Sequence, residues 1–308
     1  MINTYISACL LNEILGLGVS DCDLKTLGDV YGVSLTSKKV KFAKTLTNTQ
    51  MKTAYNNYIL SGDIVPLGQI FNFEQNTPEN ETATSSIGSK SDIRVGKPEY
   101  SFTYDRSTCF DNNLSKLMDR SWNLLMHCEK GFLLTEDSAG AYLKPFDTSY
   151  NSKSSFRLQA GTDPQQSKIM FQFSQTGTTE FNKRKVVIDV DNLGFDPFEY
   201  NAPIGVNMTI DTATITTATT SVNVTVLSAC SGTAVLGLND DAFYGIVGQT
   251  ATVSGVTDNG NGSYTLALTG TVAVGTFQVV LTDGTYYAIE DANGVKYTGK
   301  SDIKTVAS

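Results

Sequence analysis

From Val186 to Val295 the chain carries no Lys or Arg, whereas the first 185 residues hold twenty of its 23. The cation-free stretch is crowded with Thr, Val, Ala and Gly, most densely from Thr209 to Val226. β-Branched side chains are stiff about χ1 and suit a pleated surface, so this is strand chemistry. A shift this sharp marks a domain boundary, placed at Asp196–Pro203. There Pro197 and Pro203 among polar residues predict an extended linker.

Beyond that boundary, residues 204–302 read as short strands separated by turn signals. Ser221–Leu227, Ala234–Leu238, Phe243–Val247, Ala251–Val256, Tyr264–Leu268, Thr276–Leu281 and Tyr286–Glu290 are the candidates. Asp258–Gly262 and Asp283-Gly284 supply residues able to take the positive φ of hairpin turns. About seven strands in roughly 100 residues is the pattern of an immunoglobulin-like sandwich. There is no Cys…Trp…Cys signature, so bacterial and phage Ig-like modules are the nearer comparison. The Asp258–Gly262 run lacks the alternating ligands and terminal Glu of a calcium loop, and a plain turn is the expectation.

Residues 1–200 are less uniform. Met51, Tyr55, Tyr58 and Ile59 recur at helical spacing within Thr47–Leu60, and Ser61-Gly62 can close that helix. Val65–Phe73 looks extended, and Glu99–Tyr104 alternates strictly, with Tyr100, Phe102 and Tyr104 on one face. Between them Glu74–Pro98 is rich in Thr, Ser, Asn and Glu, with few apolar side chains (Ile87, Ile93, Val95), and reads as the arm of a long hairpin. Phe110, Leu114, Leu117 and Met118 predict a short helix capped by Thr108 or Asp111. Trp122 to Cys128 alternates, turns through Glu129–Gly131 and returns along Phe132–Thr135. Phe156–Leu158, Ile169–Phe173 and Lys185–Val190 add strands. The fold expected is mainly β: an N-terminal β-sandwich or barrel with one or two helices, then a C-terminal Ig-like β-sandwich.

The net charge is −8. An acidic chain gains nothing by releasing counterions from a phosphate backbone, which argues against sequence-specific nucleic-acid binding. The start of the chain has no basic segment, and Asn12 and Glu13 interrupt its apolar run, so no signal peptide is expected. No stretch approaches the ~20 apolar residues of a membrane helix. Five cysteines, Cys9, Cys22, Cys109, Cys128 and Cys230, form no CxxC pair and are expected to be reduced packing residues.

Few residues offer chemistry. His127 is the only histidine, and its strand neighbour Cys128 points to the opposite face, which disfavours a direct dyad. Leu15–Val19 has two glycines but no phosphate-loop spacing and no following Lys-Ser or Lys-Thr. Asp189 with Asp191, and Asp240 with Asp241, could serve a glycosidase, although surface carboxylates are common in an acidic chain. Lys183–Lys185 reads as a solvated strand edge, where charge discourages unwanted pairing. No catalytic, metal or cofactor-binding residue is therefore assigned, and the protein is not expected to be an enzyme.

The order of elements resembles the tail-tube proteins of tailed bacteriophages. The residues that carry the resemblance are a strand ending in Ile70–Phe73 and the polar arm Glu81–Pro98. The return strand Glu99–Tyr104, the helix near Phe110–Met118 and the strands from Trp122 complete it. The first 45 residues depart from that pattern, as an inter-subunit arm or as the mark of a ring protein of a short-tailed phage. The resemblance implies a virion protein made in the host cytoplasm, with a β-sandwich, a long hairpin arm and an appended Ig-like domain. It also implies a homo-oligomeric ring or stack of rings, contact with other virion proteins, and DNA passing without specific binding. The alternative is a capsid decoration protein or adhesin that binds a host through its Ig-like domain.

Overall fold

A computed structural model of the chain describes residues 30–307, apart from 77, 95, 105–106, 129–130, 154–166, 190–192, 244, 287 and 292; at 92–94, 167, 182 and 189 it describes the backbone alone. The fold is mainly β and divides into two compact units, the first ending at Tyr200 and the second running from Asn201, with the short stretch Ile59–Gly62 grouped with the second.

The first unit contains β1 (Val30–Thr36), β2 (Phe42–Ala43), β3 (Ile64–Gln69), β4 (Phe71–Gln75), β5 (Glu81–Thr84), β6 (Lys90–Arg94), β7 (Glu99–Tyr104), β8 (Asn123–Cys128), β9 (Gly131–Glu136), β10 (Tyr142–Lys144), β11 (Thr148–Lys153), β12 (Ser167–Phe173) and β13 (Lys185–Asp189). Its helices are α1 (Asn48–Leu60), α2 (Thr108–Leu117) and α3 (Gln175–Lys183). One sheet runs β2-β10-β9-β8-β1-β3 with β13 added to β9; the other runs β11-β12-β7-β4. The two sheets share a core in which Leu35, Leu124 and Met126 of the first meet Tyr100, Phe102, Phe171 and Phe173 of the second.

Residues 30–45 are not an arm. β1 lies between β8 and β3, pairing Leu35 with Leu124 on one side and Val65 on the other. The alternation expected of Trp122–Cys128 also changes meaning, because every residue of β8 is buried. A central strand covered on both faces keeps its pleat while losing its polar side. Gly32 is required where the Phe198 ring crosses β1, since a Cβ there would lie 2.5 Å from that ring.

Helix α1 falls where its periodicity predicts, opened by a capping box. The Thr47 hydroxyl accepts from Gln50 N at 3.3 Å, and Gln50 Oε1 accepts from Thr47 N at 2.9 Å. Helix α2 is capped by Ser107, which accepts from Phe110 N at 3.3 Å, not by Thr108 or Asp111. Asp111 turns inward instead, to a buried partner. Helix α3 escapes sequence reading because Gln175–Lys183 is rich in Thr and contains Gly, which are poor helix formers. Ser174 holds its start by accepting from Gly177 N at 2.9 Å.

The stretch Asp196–Pro203 begins as folded structure, not as an extended linker. Pro197–Glu199 form a 3-10 turn with Asp196 accepting from Phe198 N at 2.8 Å, and Pro197 is buried. The Phe195 ring lies tilted against Tyr55 and the Tyr200 ring meets it edge-on, which ties this stretch into the first unit.

The second unit contains β14 (Ile204–Ile210), β15 (Ile215–Thr216), β16 (Ser221–Ser228), β17 (Gly245–Val247), β18 (Thr252–Asp258), β19 (Ser263–Thr269), β20 (Gly275–Val280), β21 (Ile289–Glu290), β22 (Lys296–Thr298) and β23 (Lys304–Ala307). Sheets ordered β18-β19-β16-β14-β22-β21 and β15-β23-β20-β17 form an Ig-like sandwich. Alternation sets the faces: Val222, Val224 and Val226 are buried while Ser221 and Asn223 are exposed. Ala234–Leu238 is not a strand; it meets the sheet through a bridge from Ala234 to Leu227 and through hydrogen bonds of Val235 to Val226 and Tyr264. β23 lies beyond residue 302, where the domain was expected to end, and pairs with both β15 and β20.

Candidate functional site

His127 sits on β8 and meets Ser34 of β1, its Nε2 lying 2.9 Å from the Ser34 hydroxyl. Tyr55 of α1 approaches the same hydroxyl at 3.5 Å. The imidazole is enclosed by rings, with Phe132 at 5.0 Å and Phe198 at 5.5 Å between centroids. A serine beside a histidine has the form of a nucleophile and its base. Here both are buried, His127 at 1% and Ser34 at 0% exposure, and among the described residues His127 Nδ1 has no hydrogen-bond partner to orient it. Burial also lowers the imidazole pKa to about 3, so at neutral pH it carries no charge. The pair is a hydrogen bond inside an aromatic core, closed to any substrate.

Cys128 belongs to the core on the other side of the strand, with Trp122, Leu124 and Met126, as alternation requires. Burial pushes its thiol up to about 11, and it is a free thiol. Cys109 and Cys230, by contrast, are each disulfide-bonded, which corrects the reading of all five cysteines as reduced. Spacing along a chain says nothing about the distance between two sulfurs, so nothing in the sequence could have separated these two from Cys128. Cys9, Cys22 and Leu15–Val19 lie outside the described residues.

The acidic candidates do not assemble. Asp240 opens a 3-10 turn and accepts from Val256 N at 2.6 Å. Asp258 spends both oxygens on backbone, taking Gly260 N at 2.8 Å and Gly237 N at 2.7 Å, as a turn residue does. Asp189 closes β13, and Asp191 lies outside the described residues. Among the described residues no group of three His, Cys, Asp or Glu side chains is placed to hold a metal ion. Of the basic run, Lys185 begins an edge strand with its ammonium 5.1 Å above the Phe181 ring, whereas Arg184 ends α3.

The polar arm is the part of the first unit least explained by packing. Among the described residues β5 and β6 pair only with each other, and Ser85–Ser89 join them. The arm is closed at its base, where Asn80 Oδ1 accepts from Gly96 N at 2.9 Å. The described side chains of β5 are mostly exposed, and Ile87 at the tip is 88% exposed. The four-stranded sheet ends on β4 and β11, which leave Phe71 and Tyr150 at 43% and 52% exposure.

Comparison with family models and with curated proteins finds no match. Among solved structures the chain is similar to FdeC, a broadly conserved Escherichia coli adhesin, at 13% identity and a TM-score of 0.23. That match covers 80% of this chain and 68% of the other, and at such a score it carries no argument. Among the described residues no helix is long and apolar enough to cross a membrane.

Proposed function

We propose that the chain is a structural virion protein of a tailed bacteriophage that assembles into rings of a tail tube or connector through which DNA passes. The observation that supports this reading best is the β5–β6 ribbon. A two-stranded hairpin in water is marginal by itself. One that carries an exposed Ile87 at its tip and exposed strand edges gains stability by lying against another surface. A second copy of the chain supplies such a surface at every junction of a ring. The net charge of −8 suits a conduit that DNA must pass without sticking. On this reading the protein has no turnover, and its partners are copies of itself and other virion proteins.

The test is to excise Thr82–Ile93 and bridge the gap with Gly-Ser. Sedimentation should show rings or tubes for the parent and a folded monomer for the shortened chain. Assembly of the shortened chain as readily as the parent removes the arm as the joint, and the tube reading with it.

A second reading, a capsid decoration protein or adhesin that binds a host through its Ig-like domain, draws on the Ig-like sandwich of the second unit, which ring assembly does not require. If parent and shortened chain both stay monomeric while the protein adheres to host cells, this second reading replaces the first.

A further inference from the structure

Neither reading uses the turn between β18 and β19, which holds two of the three Asn-Gly pairs in the sequence. These are Asn259-Gly260 and Asn261-Gly262; the third, Asn293-Gly294, lies in the turn before β22. An asparagine followed by glycine can react with its own backbone, because glycine has no Cβ to keep the next nitrogen away from the carboxamide. In that step the glycine amide loses its proton, its nitrogen bonds to the asparagine Cγ, and the side-chain nitrogen leaves as ammonia. Water then opens the cyclic imide, either to aspartate or to isoaspartate, in which the main chain runs through the side-chain methylene.

The imide nitrogen carries no hydrogen, so any hydrogen bond that the glycine N–H donates must be given up before the ring closes. Gly260 N donates to Asp258 Oδ1 at 2.8 Å, and Asn259 Nδ2, the leaving group, donates to Ser263 Oγ at 3.1 Å. Gly294 N donates to Asp291 O at 3.0 Å. Gly262 N differs: among the described residues it donates to nothing. Asn261 is exposed, although Gly262 behind it is buried against Ala234. Asn261 Oδ1 accepts from Ser263 N at 3.0 Å, a donor placed where negative charge grows during the attack. The sequence treats the three pairs alike, and hydrogen bonding separates them.

We propose that Asn261 is a modification site at which the folded chain loses ammonia by itself, with water as co-reactant, ahead of Asn259 and Asn293. The net worth of one hydrogen bond converts to roughly threefold to tenfold in rate, which sets the expected lead. The product matters to the second unit because Gly262 is closely fitted. Its carbonyl accepts from Val226 N at 2.7 Å, and a Cβ on it would lie 2.8 Å from that of Ala234. Isoaspartate lengthens the main chain next to this contact and adds a negative charge to a turn that already holds Asp258. The hydrogen bond to Val226, a buried residue of β16, is thereby weakened.

The test ages the full chain at mildly alkaline pH, digests it, and scores each Asn-Gly site by mass spectrometry for replacement of the amide by a hydroxyl. Asn261 should react about threefold to tenfold faster than Asn259 or Asn293. In guanidinium, where the native hydrogen bonds are gone, the three rates should converge. Asp258→Ala releases Gly260 N and should speed Asn259 about threefold while leaving Asn293 unchanged, which separates the loss of that bond from general loosening. Aged wild type should melt below fresh protein, and Asn261→Ser should abolish the difference. If Asn261 reacts no faster than the other two in the folded chain, burial of Gly262 outweighs its hydrogen bonding and the proposal falls. A lead that persists in guanidinium also overturns it, since the preference then lies in the local sequence. Protein modified at Asn261 that melts as fresh protein does removes the link to Val226.

Discussion

The core of the first unit is built on rings, with Tyr100, Phe102, Phe146, Phe171 and Phe173 stacked or tilted against one another. The core of the second is aliphatic, with Val206, Val222, Val224, Val226 and Leu266 around the rings of Phe243, Tyr264 and Phe277. Their polar groups differ in the same way. In the first unit Lys153 reaches Asp111 at 2.7 Å, with the two side chains only 8% and 9% exposed, and the Tyr104 hydroxyl donates to the same carboxylate at 2.8 Å. In the second, Asp258, Asp283 and Asp291 accept from backbone N–H groups two residues further on, at exposed turns. Its buried polar residues are few, among them Lys296, which lies 3.6 Å from Glu290. The first unit holds a carboxylate and its cation inside; the second sets these three carboxylates at exposed turns.

The largest effect that sharpens this contrast is Phe102→Ala. Removing a fully buried ring should destabilise the first unit by about 4 kcal/mol. The single tryptophan, Trp122, is 4% exposed in that same core, so its fluorescence during urea unfolding reports this unit. A loss below about 1 kcal/mol means that the rings are loosely packed and the contrast between the cores is false. Next comes Asp111→Ala, which leaves the Lys153 ammonium buried without its carboxylate. It should cost about 3 kcal/mol by the same measurement. A neutral result places Lys153 in solvent.

The third test uses pH. The folded pKa of His127, about 3, lies below its ordinary value of 6.5, so the native state binds fewer protons than the unfolded chain between those limits. The stability it supports is complete above pH 6.5 and declines as pH falls toward 3. Between pH 7 and pH 5 the loss should be about 2 kcal/mol. Because the chain has one histidine, the difference in pH dependence between wild type and His127→Gln isolates this term. Equal pH dependence for the two proteins means that the imidazole is reached by water. The smallest effect belongs to the second unit. Asp258→Ala removes the acceptor for Gly237 N and Gly260 N at an exposed turn and should lower stability by about 1 kcal/mol. A loss as large as that of Asp111→Ala contradicts the exposed character of those contacts.

The same division explains what could be read in advance. Val222, Val224 and Val226 announce their strand and its buried face, because a period of two needs no partner to be visible. Helix α1 was equally legible from Met51, Tyr55 and Ile59, all fully buried. Helix α3 was not, because its Thr-rich sequence is held by Ser174 and packing, which override propensity. β1 was missed because Val30–Thr36 mixes Tyr, Gly, Ser and Thr and becomes a central strand only through β8 and β3. Nor was the polar cleft that Asn123 and Glu180 line legible: Asn123 opens a strand and Glu180 sits mid-helix, neither with a motif about it.

By itself the sequence determined the mainly β class, the compositional break near residue 200, the polar arm, and the turns that Asp258 and Asp283 hold. Each follows from local conformational preference or from periodicity within a few residues. Tertiary structure alone decided that β8 is covered on both faces, and that Ser34 meets His127 from 93 residues away. It also decided which sulfurs are oxidised, and that Asn123 and Glu180 line one cavity. These depend on distance in space, and distance between residues far apart in the chain is set by how the sheets close, which no local pattern encodes.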